Sequence, residues 1–323
     1  MRNFVLIIGL VLLVNNMFAQ QEIQLSQATE HPIFYNPAVA GAEKHINLNA
    51  IYRWQWLGLQ GAPQSQYLTA HFPIPLLKSG VGINLNNDII GAYRFTKARM
   101  SYAYKLAISK NSTLSFGINA GVNQIALAGN ELITSDGLYE NVFNHNDPLL
   151  PNGSVSQIVP NAGIGVYFKN EQFEAGLSAN SLVAQKVNFN EANATGQYTY
   201  SPQYSLQLNY LLDIFNNIQI KPTLYLHSDS KIFQLQSHVF VKVGEVFAVG
   251  GGYRGYSSYS NDAFIISGQA KIGENLSLTY SYDLGTSNIK NFNSGTHELG
   301  VTYKIRNLLP TPKSKVIYNP RFL

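Results

Sequence analysis

The sequence predicts an all-β fold: a transmembrane up-and-down antiparallel β-barrel of about 14 strands after a cleaved signal peptide. The first supporting observation is a two-residue period. In Asn275-Leu276-Ser277-Leu278-Thr279-Tyr280-Ser281-Tyr282-Asp283-Leu284 every even position is apolar and every odd one polar. Successive side chains of a strand point to opposite faces, so such a strand separates an apolar medium from a wet one. Second, residues 1–19 carry Arg2, an apolar run over 4–14 and Ala19 before Gln20-Gln21-Glu22, the pattern of a secretory signal. Third, only 12% of residues are charged, against roughly 25% in a soluble domain. A surface facing hydrocarbon has little use for charge.

The elements follow in order. The first strand, 46–57, has Ile46, Leu48, Ala50, Tyr52, Trp54 and Trp56 on one parity, and 65–73 follows it. Val81, Ile83, Leu85 and Ile89 mark 79–90; Met100, Tyr102, Tyr104, Leu106 and Ile108 mark 93–108; Leu114, Phe116, Ile118, Ala120 and Val122 mark 112–126. Weaker alternation gives 157–169 and 172–181, and Tyr204, Leu206, Leu208 and Tyr210 give 199–212. The rest are 217–228, 231–243, 245–256, 261–272, 275–284 and 295–306, the last with Leu299, Val301, Tyr303 and Ile305. Turn signals such as Ser109-Lys110-Asn111-Ser112, Lys169-Asn170-Glu171 and Gly273-Glu274-Asn275 separate them.

The long connections, 127–156, 182–198 and 285–294, all fall on one end of the cylinder, and the short turns on the other. Barrels of this kind have short periplasmic turns and longer outer loops, and an even strand count returns the chain to its starting side. Both termini are therefore expected in the periplasm. The expected organisation is a signal peptide over 1–19, an N-terminal periplasmic or plug segment over 20–45 outside the wall strands, an outer-membrane barrel over 46–306, and a periplasmic tail over 307–323. Pro310, Pro312 and Pro320 stop ladder pairing in that tail.

Several classes are excluded. The chain has no cysteine, hence no disulfide, thiolate metal site or lipid-attachment cysteine. No stretch after the signal reaches the eighteen or so apolar residues of a membrane helix. The net charge is +4 and the pI about 9.0, but the basic residues are scattered, so the outer-membrane lipid is the expected partner and nucleic acid is not. No cofactor motif is present.

Candidate chemistry is sparse. His71, His227, His238 and His297 are isolated, and His297 neighbours Glu298 in a strand, where adjacent side chains face opposite ways and form no dyad. A structural role is therefore expected rather than catalysis. Asp136, His145 and Asp147 in loop 127–156 match either a hard-cation site or a solvated loop rich in turn formers. Tyr52, Trp54 and Trp56 suit an aromatic girdle at the lipid boundary, with a glycan-stacking platform as the alternative. Arg53, Lys105, Glu174, Lys221, Lys242, Lys271, Asp283, Glu298 and Lys304 sit on the polar parity, inside the barrel, either lining a pore or forming a paired network that closes it.

Particular residues also resemble a known family. Gln24-Leu25-Ser26-Gln27 and Phe34-Tyr35-Asn36-Pro37-Ala38-Val39-Ala40-Gly41 resemble the "FSQ…NPAYAG" opening of the PorP/SprF family, the type IX secretion outer-membrane proteins of Bacteroidota. Tyr52-Arg53-Trp54-Gln55-Trp56 with Gly61-Ala62-Pro63 is similar to its "YRxQW…GAP" block, and Asn87-Asp88-Ile89-Ile90-Gly91 to its "NDxIG" strand end. Ser294-Gly295-Thr296-His297-Glu298-Leu299 resembles its "SGTHE" entry to the last strand, and Pro320-Arg321-Phe322-Leu323 its chain end. The chain departs from the family's pattern at 31–34 and in lacking a cysteine near the end. The resemblance implies a non-enzymatic barrel that docks secreted proteins with C-terminal sorting domains and meets periplasmic type IX components. A passive channel for small solutes is the alternative, and a lipid-modifying enzyme a third.

Overall fold

The computed structural model describes residues 24–306 except 136, 139–144, 146, 148–149, 152, 184–185, 192–193, 230–231 and 257–260. The expected signal peptide, Asp136, and the tail with Pro320, Arg321 and Phe322 lie outside the described residues.

In chain order the strands are β1 (His45–Trp54), β2 (Gln64–Ile74), β3 (Ser79–Ile90), β4 (Tyr93–Ala107), β5 (Thr113–Ala128), β6 (Ser154–Lys169), β7 (Phe173–Asn180), β8 (Lys186–Glu191) and β9 (Ala194–Thr199). They continue as β10 (Gln203–Tyr210), β11 (Leu212–Phe215), β12 (Ile218–Ser228), β13 (Phe233–Val243), β14 (Phe247–Arg254), β15 (Ala263–Ile272), β16 (Leu276–Gly285) and β17 (Thr296–Arg306). Fourteen of them form a closed antiparallel barrel, because β1 pairs with both β2 and β17 and β10 with both β7 and β12. Closure pairs every wall strand on both sides over part of its length, as a barrel in lipid requires. β11 is a short extension on β12, and β8 and β9 form a separate hairpin.

The two-residue period sets the two faces as expected. Leu68, Met100, Ile118, Leu177, Val249 and Ile266 are exposed on the outer wall, an apolar belt that requires a bilayer around it. The intervening positions, Asn47, Asn49, Thr69, Asn84, Ser101, Asn119, Gln207 and Ser281 among them, are buried in the lumen.

Three expectations are corrected. The first strand ends at Trp54, not at residue 57, because Trp56 takes a left-handed φ of 51° that ends the pleat. Tyr52 and Trp54 keep the outward parity, and Trp56 leaves it for the rim. The connection 182–198 is not irregular: it carries the β8–β9 hairpin, so the next wall strand starts at Gln203 rather than 199. β6 reaches up to Ser154, three residues past its expected start at 157.

Of the two forms expected for the N-terminal segment, periplasmic or plug, the described part takes the second. Residues 24–42 fold up into the lumen as a plug, so this stretch is not free to meet periplasmic machinery. It holds two short 3-10 turns, Pro32–Phe34 and Pro37–Val39, each opened by a proline whose missing N–H removes a donor that such a first position leaves unpaired. Leu25, Ala28, Phe34 and Tyr35 pack on Ile51, Tyr67 and Tyr225, while Ile33, Ala38, Val39 and Ala40 pack on Ala103 and Tyr167. Above the plug, Val187 and Phe189 of the hairpin cover Phe95, Ile125, Val159 and Tyr200, forming an apolar lid at the end opposite the termini.

Candidate functional site

The plug's short turns pair many of its own N–H groups but leave carbonyls over, and the lumen's polar residues donate to these. Asn84 of β3 donates to the Ile33 carbonyl (3.2 Å), Arg99 of β4 to Phe34 (3.1 Å), Ser178 of β7 to Tyr35 (2.9 Å), Gln207 of β10 to Thr29 (3.1 Å) and Gln236 of β13 to Ser26 (2.8 Å). Strands from all around the barrel thus hold one irregular segment.

The strongest of these attachments is ionic. Arg53 of β1 bonds Glu298 of β17 at 2.8 Å and Asp283 of β16 at 2.9 Å, and Arg254 of β14 bonds Asp283 and Asp262 at 3.0 Å each. Arg53, Arg254, Asp283 and Glu298 are all 3% exposed or less, two cations against two anions with Asp262 at the rim. Ser26 lies at the centre. Its hydroxyl donates to Asp283 Oδ1 (2.6 Å) and accepts from Arg53 Nη1 and Arg254 Nη2 (2.8 Å each). The Ser26 and Gln27 N–H groups donate to the two Glu298 carboxylate oxygens, also at 2.8 Å. Charges removed from water need this degree of pairing to remain ionised.

A second attachment rests on shape. Asn36 accepts from the Ala38 N–H (2.9 Å) and donates to the carbonyls of Val166 (3.0 Å) and Leu177 (3.3 Å) on β6 and β7. Pro37 and Ala38 lie against Gly117 of β5, Asn36 against Gly165 of β6, and Ala40 against Gly80 of β3; a methyl at any of these glycines would collide with the plug. Gly41 has a φ of +64°, donates to His71 Nδ1 (3.2 Å) and accepts from Lys105 Nζ. At the termini end a charged cavity of about 570 Å³ opens below the plug, among Glu30, Glu43, Glu174, Lys169, Lys221 and Lys304. There Lys221 meets Glu30 at 2.8 Å. Burial pushes the Glu30 carboxyl up, but Lys221 more than offsets this and leaves it below its ordinary range. Burial holds His31 down at about 4.

The sequence-singled residues therefore divide. Arg53 and Glu298 join the ionic cluster, and Asn36, Pro37, Ala38 and Gly41 form the glycine-seated turn. Gln55, Trp56, Gly295 and Thr296 meet at the rim, where the Trp56 N–H donates to Thr296 Oγ1 (3.2 Å) and Leu57 N–H to the Gly295 carbonyl (2.8 Å). Gly91 joins another rim contact by donating to the Gly61 carbonyl (3.0 Å). Asp88 faces the lumen and accepts from Asn86 (2.9 Å), whereas Asn87 accepts from Thr96 (3.1 Å). His297 faces outward to Tyr280 (2.6 Å), opposite Glu298, as strand parity requires. The loop candidate His145 is buried and bonded to the Gly129 carbonyl (3.0 Å), and no cluster of metal-ligating side chains occurs among the described residues.

Of the nine interior charges, Arg53, Asp283 and Glu298 form the sealed network, Glu174, Lys221, Lys242, Lys271 and Lys304 line the cavity at the termini end, and Lys105 donates to the Gly41 carbonyl. Sequence reasoning missed Gln236, Arg254 and Arg99, and met Ser26 only as part of a family motif. Lumen parity carried a signal for Arg99 and Arg254, but none identified Ser26 as their shared partner.

The model of the family described as "Type IX secretion system membrane protein PorP/SprF" matches residues 17–303. The chain belongs to the PorP/SprF family. A PorP/SprF member with this wall is an outer-membrane β-barrel. The CymD monoaromatic hydrocarbon channel superposes with a TM-score of 0.52 at 10% identity, covering 88% of this chain and 93% of that one. The Pseudomonas putida toluene transporter TodX gives 0.47 at 9% identity (87% and 94%), and the Acinetobacter baumannii outer membrane protein Omp33 gives 0.43 at 11% (83% and 100%). At these identities the likeness is one of fold alone. No curated protein matches the PorP/SprF chain by sequence.

Proposed function

We propose that this barrel acts in type IX secretion as a plugged, non-enzymatic docking scaffold, which exports proteins or holds them at the cell surface. One observation carries the reading: the lumen holds a plug fixed by the wall's own charges, so the interior serves to close the barrel rather than to conduct. The outer end, with connections 129–153 and 181–202, is then the surface that meets a secreted protein carrying a C-terminal sorting domain. The termini face the periplasm, and the tail 307–323 is the element left to meet periplasmic components, since residues 24–42 are occupied in the lumen. In this picture Asn36, Pro37, Ala38, Gly41, Arg53, Asp88 and Glu298 keep the scaffold closed, while Gln55, Trp56, Asn87, Gly91, Gly295, Thr296 and His297 shape its rim and outer face. Pro320, Arg321 and Phe322 belong to the tail's contact.

Deleting the gene should abolish surface display of at least one tagged exported protein, and the purified barrel in a planar bilayer should be electrically silent. Unchanged display of every such protein would overturn the docking role. Steady open-channel conductance would favour the passive channel instead.

A further inference from the structure

The barrel wall has a step. β6 pairs with β5 along its whole length, 154–169, but β7 pairs with it only over 164–169. Above that, β7 turns away at Asn180, and the one described main-chain contact to this side of β6 is the Leu182 N–H on the Ala162 carbonyl (3.0 Å).

In an antiparallel strand the N–H and C=O of one residue point to the same side, and alternate residues share a side. Ala162 therefore fixes the parity, and the Asn170 N–H on the Phe173 carbonyl (2.9 Å) at the β6–β7 turn agrees with it. The Gly153 carbonyl, of odd parity, turns the other way, to the Gly129 N–H (3.0 Å). The main-chain groups of Ser154, Ser156 and Ile158 and the Pro160 carbonyl thus face an edge that no other described strand pairs, and all four residues are exposed. Pro160 sits on this edge parity, where its missing N–H leaves the β5 ladder intact. At about 3.4 Å per residue the open stretch is about 20 Å long.

Open strand edges template the addition of another strand, and proteins normally shorten, charge or cover them. This one is left uncharged over residues 154–159 and is stopped at its lower end by Pro160. We infer that the outer edge of β6, residues 154–158, is a β-augmentation site that takes an extended segment of an exported polypeptide. This rests on the docking role proposed above and names its contact. Main-chain hydrogen bonds would supply the affinity. Side chains set the preference: on the inner face Val155 and the buried Val159 border the Val187–Phe189 lid, and on the outer face stand Ser154 and Ser156. The segment that fits is five or so residues alternating apolar and polar. Pro160 sets its lower limit, because pairing cannot continue past a missing donor.

The test uses the full chain in its own bacterium, with an epitope-tagged exported protein that retains its sorting domain as probe. Ser156→Pro removes an edge N–H without touching the β5 ladder. It should lower surface-retained probe at least tenfold while the barrel still shows heat-modifiable migration. Should that variant fail to assemble, a photo-crosslinking residue at Ser154, Ser156 or Ile158, with the backbone unaltered, should trap the probe, whereas one at Met100 on the lipid wall should not. Normal probe retention by an assembled Ser156→Pro barrel would overturn the inference, as would crosslinks running only to this chain's own residues 186–199. The deletion strain separates the two proposals. If deletion abolishes display but Ser156→Pro does not, the edge is wrong and the docking role stands; if deletion leaves display intact, the docking role itself fails.

Discussion

The same plug is held by two walls that work by different physics. Along β1, β14, β16 and β17, Ser26 and Gln27 are gripped by Arg53, Arg254, Asp283 and Glu298 through short charged hydrogen bonds. Along β3, β5, β6 and β7, Asn36 to Gly41 lie against Gly80, Gly117 and Gly165, where absent side chains and neutral hydrogen bonds from Asn36 set the fit. Charge pairing gives a strong but all-or-none attachment, since removing one ion leaves its partners buried and uncompensated. Steric seating is graded, because packing gives way by increments. The comparison implies that the β1–β17 side locks the plug and the β3–β7 side positions it.

The sharpest way to break this contrast is Glu298→Ala, which leaves Arg53 short of an anion and the Ser26 and Gln27 N–H groups unbonded. The expected loss is about 3–5 kcal/mol, measured by urea unfolding of the barrel in lipid. Protease should then cut within 24–42. If unfolding and protease protection both stay at the parent level, the lock is elsewhere.

On the opposite wall, Gly117→Val should push Pro37 and Ala38 out of place at a cost of about 1–3 kcal/mol. Its signature should differ: faster hydrogen exchange over 36–41, with the Ser26 amide still protected. Equal loosening at both ends would show that the plug moves as one rigid body.

Ser26→Ala keeps every charge and removes only the hydroxyl between Asp283 and the two arginines. It should weaken the attachment by about 1–3 kcal/mol, less than Glu298→Ala; an equal loss would mean the serine, not the carboxylate, is the keystone.

A further handle is pH, and it acts through the plug's own groups. His31 has a folded value of about 4, below its ordinary 6.5, so its neutral form favours the folded plug. That contribution is complete above pH 6.5 and is lost as pH falls towards 4. Glu30, lowered beside Lys221, loses its contribution in the same direction as acid protonates it. Protease protection of 24–42 should therefore decline between pH 6.5 and 4, and His31→Gln should remove the upper part of that decline. Protection that rises on acidification would contradict both assignments.

Strand parity is local, and it was legible. The alternation through 275–284 and 112–126 set inside from outside, and the spacing of turns set fourteen wall strands and the end that bears the long connections. The last residues of strands were less legible: Trp56 continues the apolar parity of Tyr52 and Trp54, yet it leaves the pleat because Leu57 and Ser294 bond across the rim. Hairpin β8–β9 was hidden in the same way, since its apolar Val187 and Phe189 acquire a partner surface only once β4, β5 and β6 stand together.

By itself, then, the sequence determined the barrel wall, its greasy exterior and its polar interior, because a side chain's face depends only on its position within its own strand. The tertiary structure alone decided that residues 24–42 occupy that interior and that Arg53, Arg254, Asp283 and Glu298 converge on Ser26. Those contacts join residues up to 272 positions apart. No local period encodes them, and they exist only after the cylinder has closed and brought β1 beside β17.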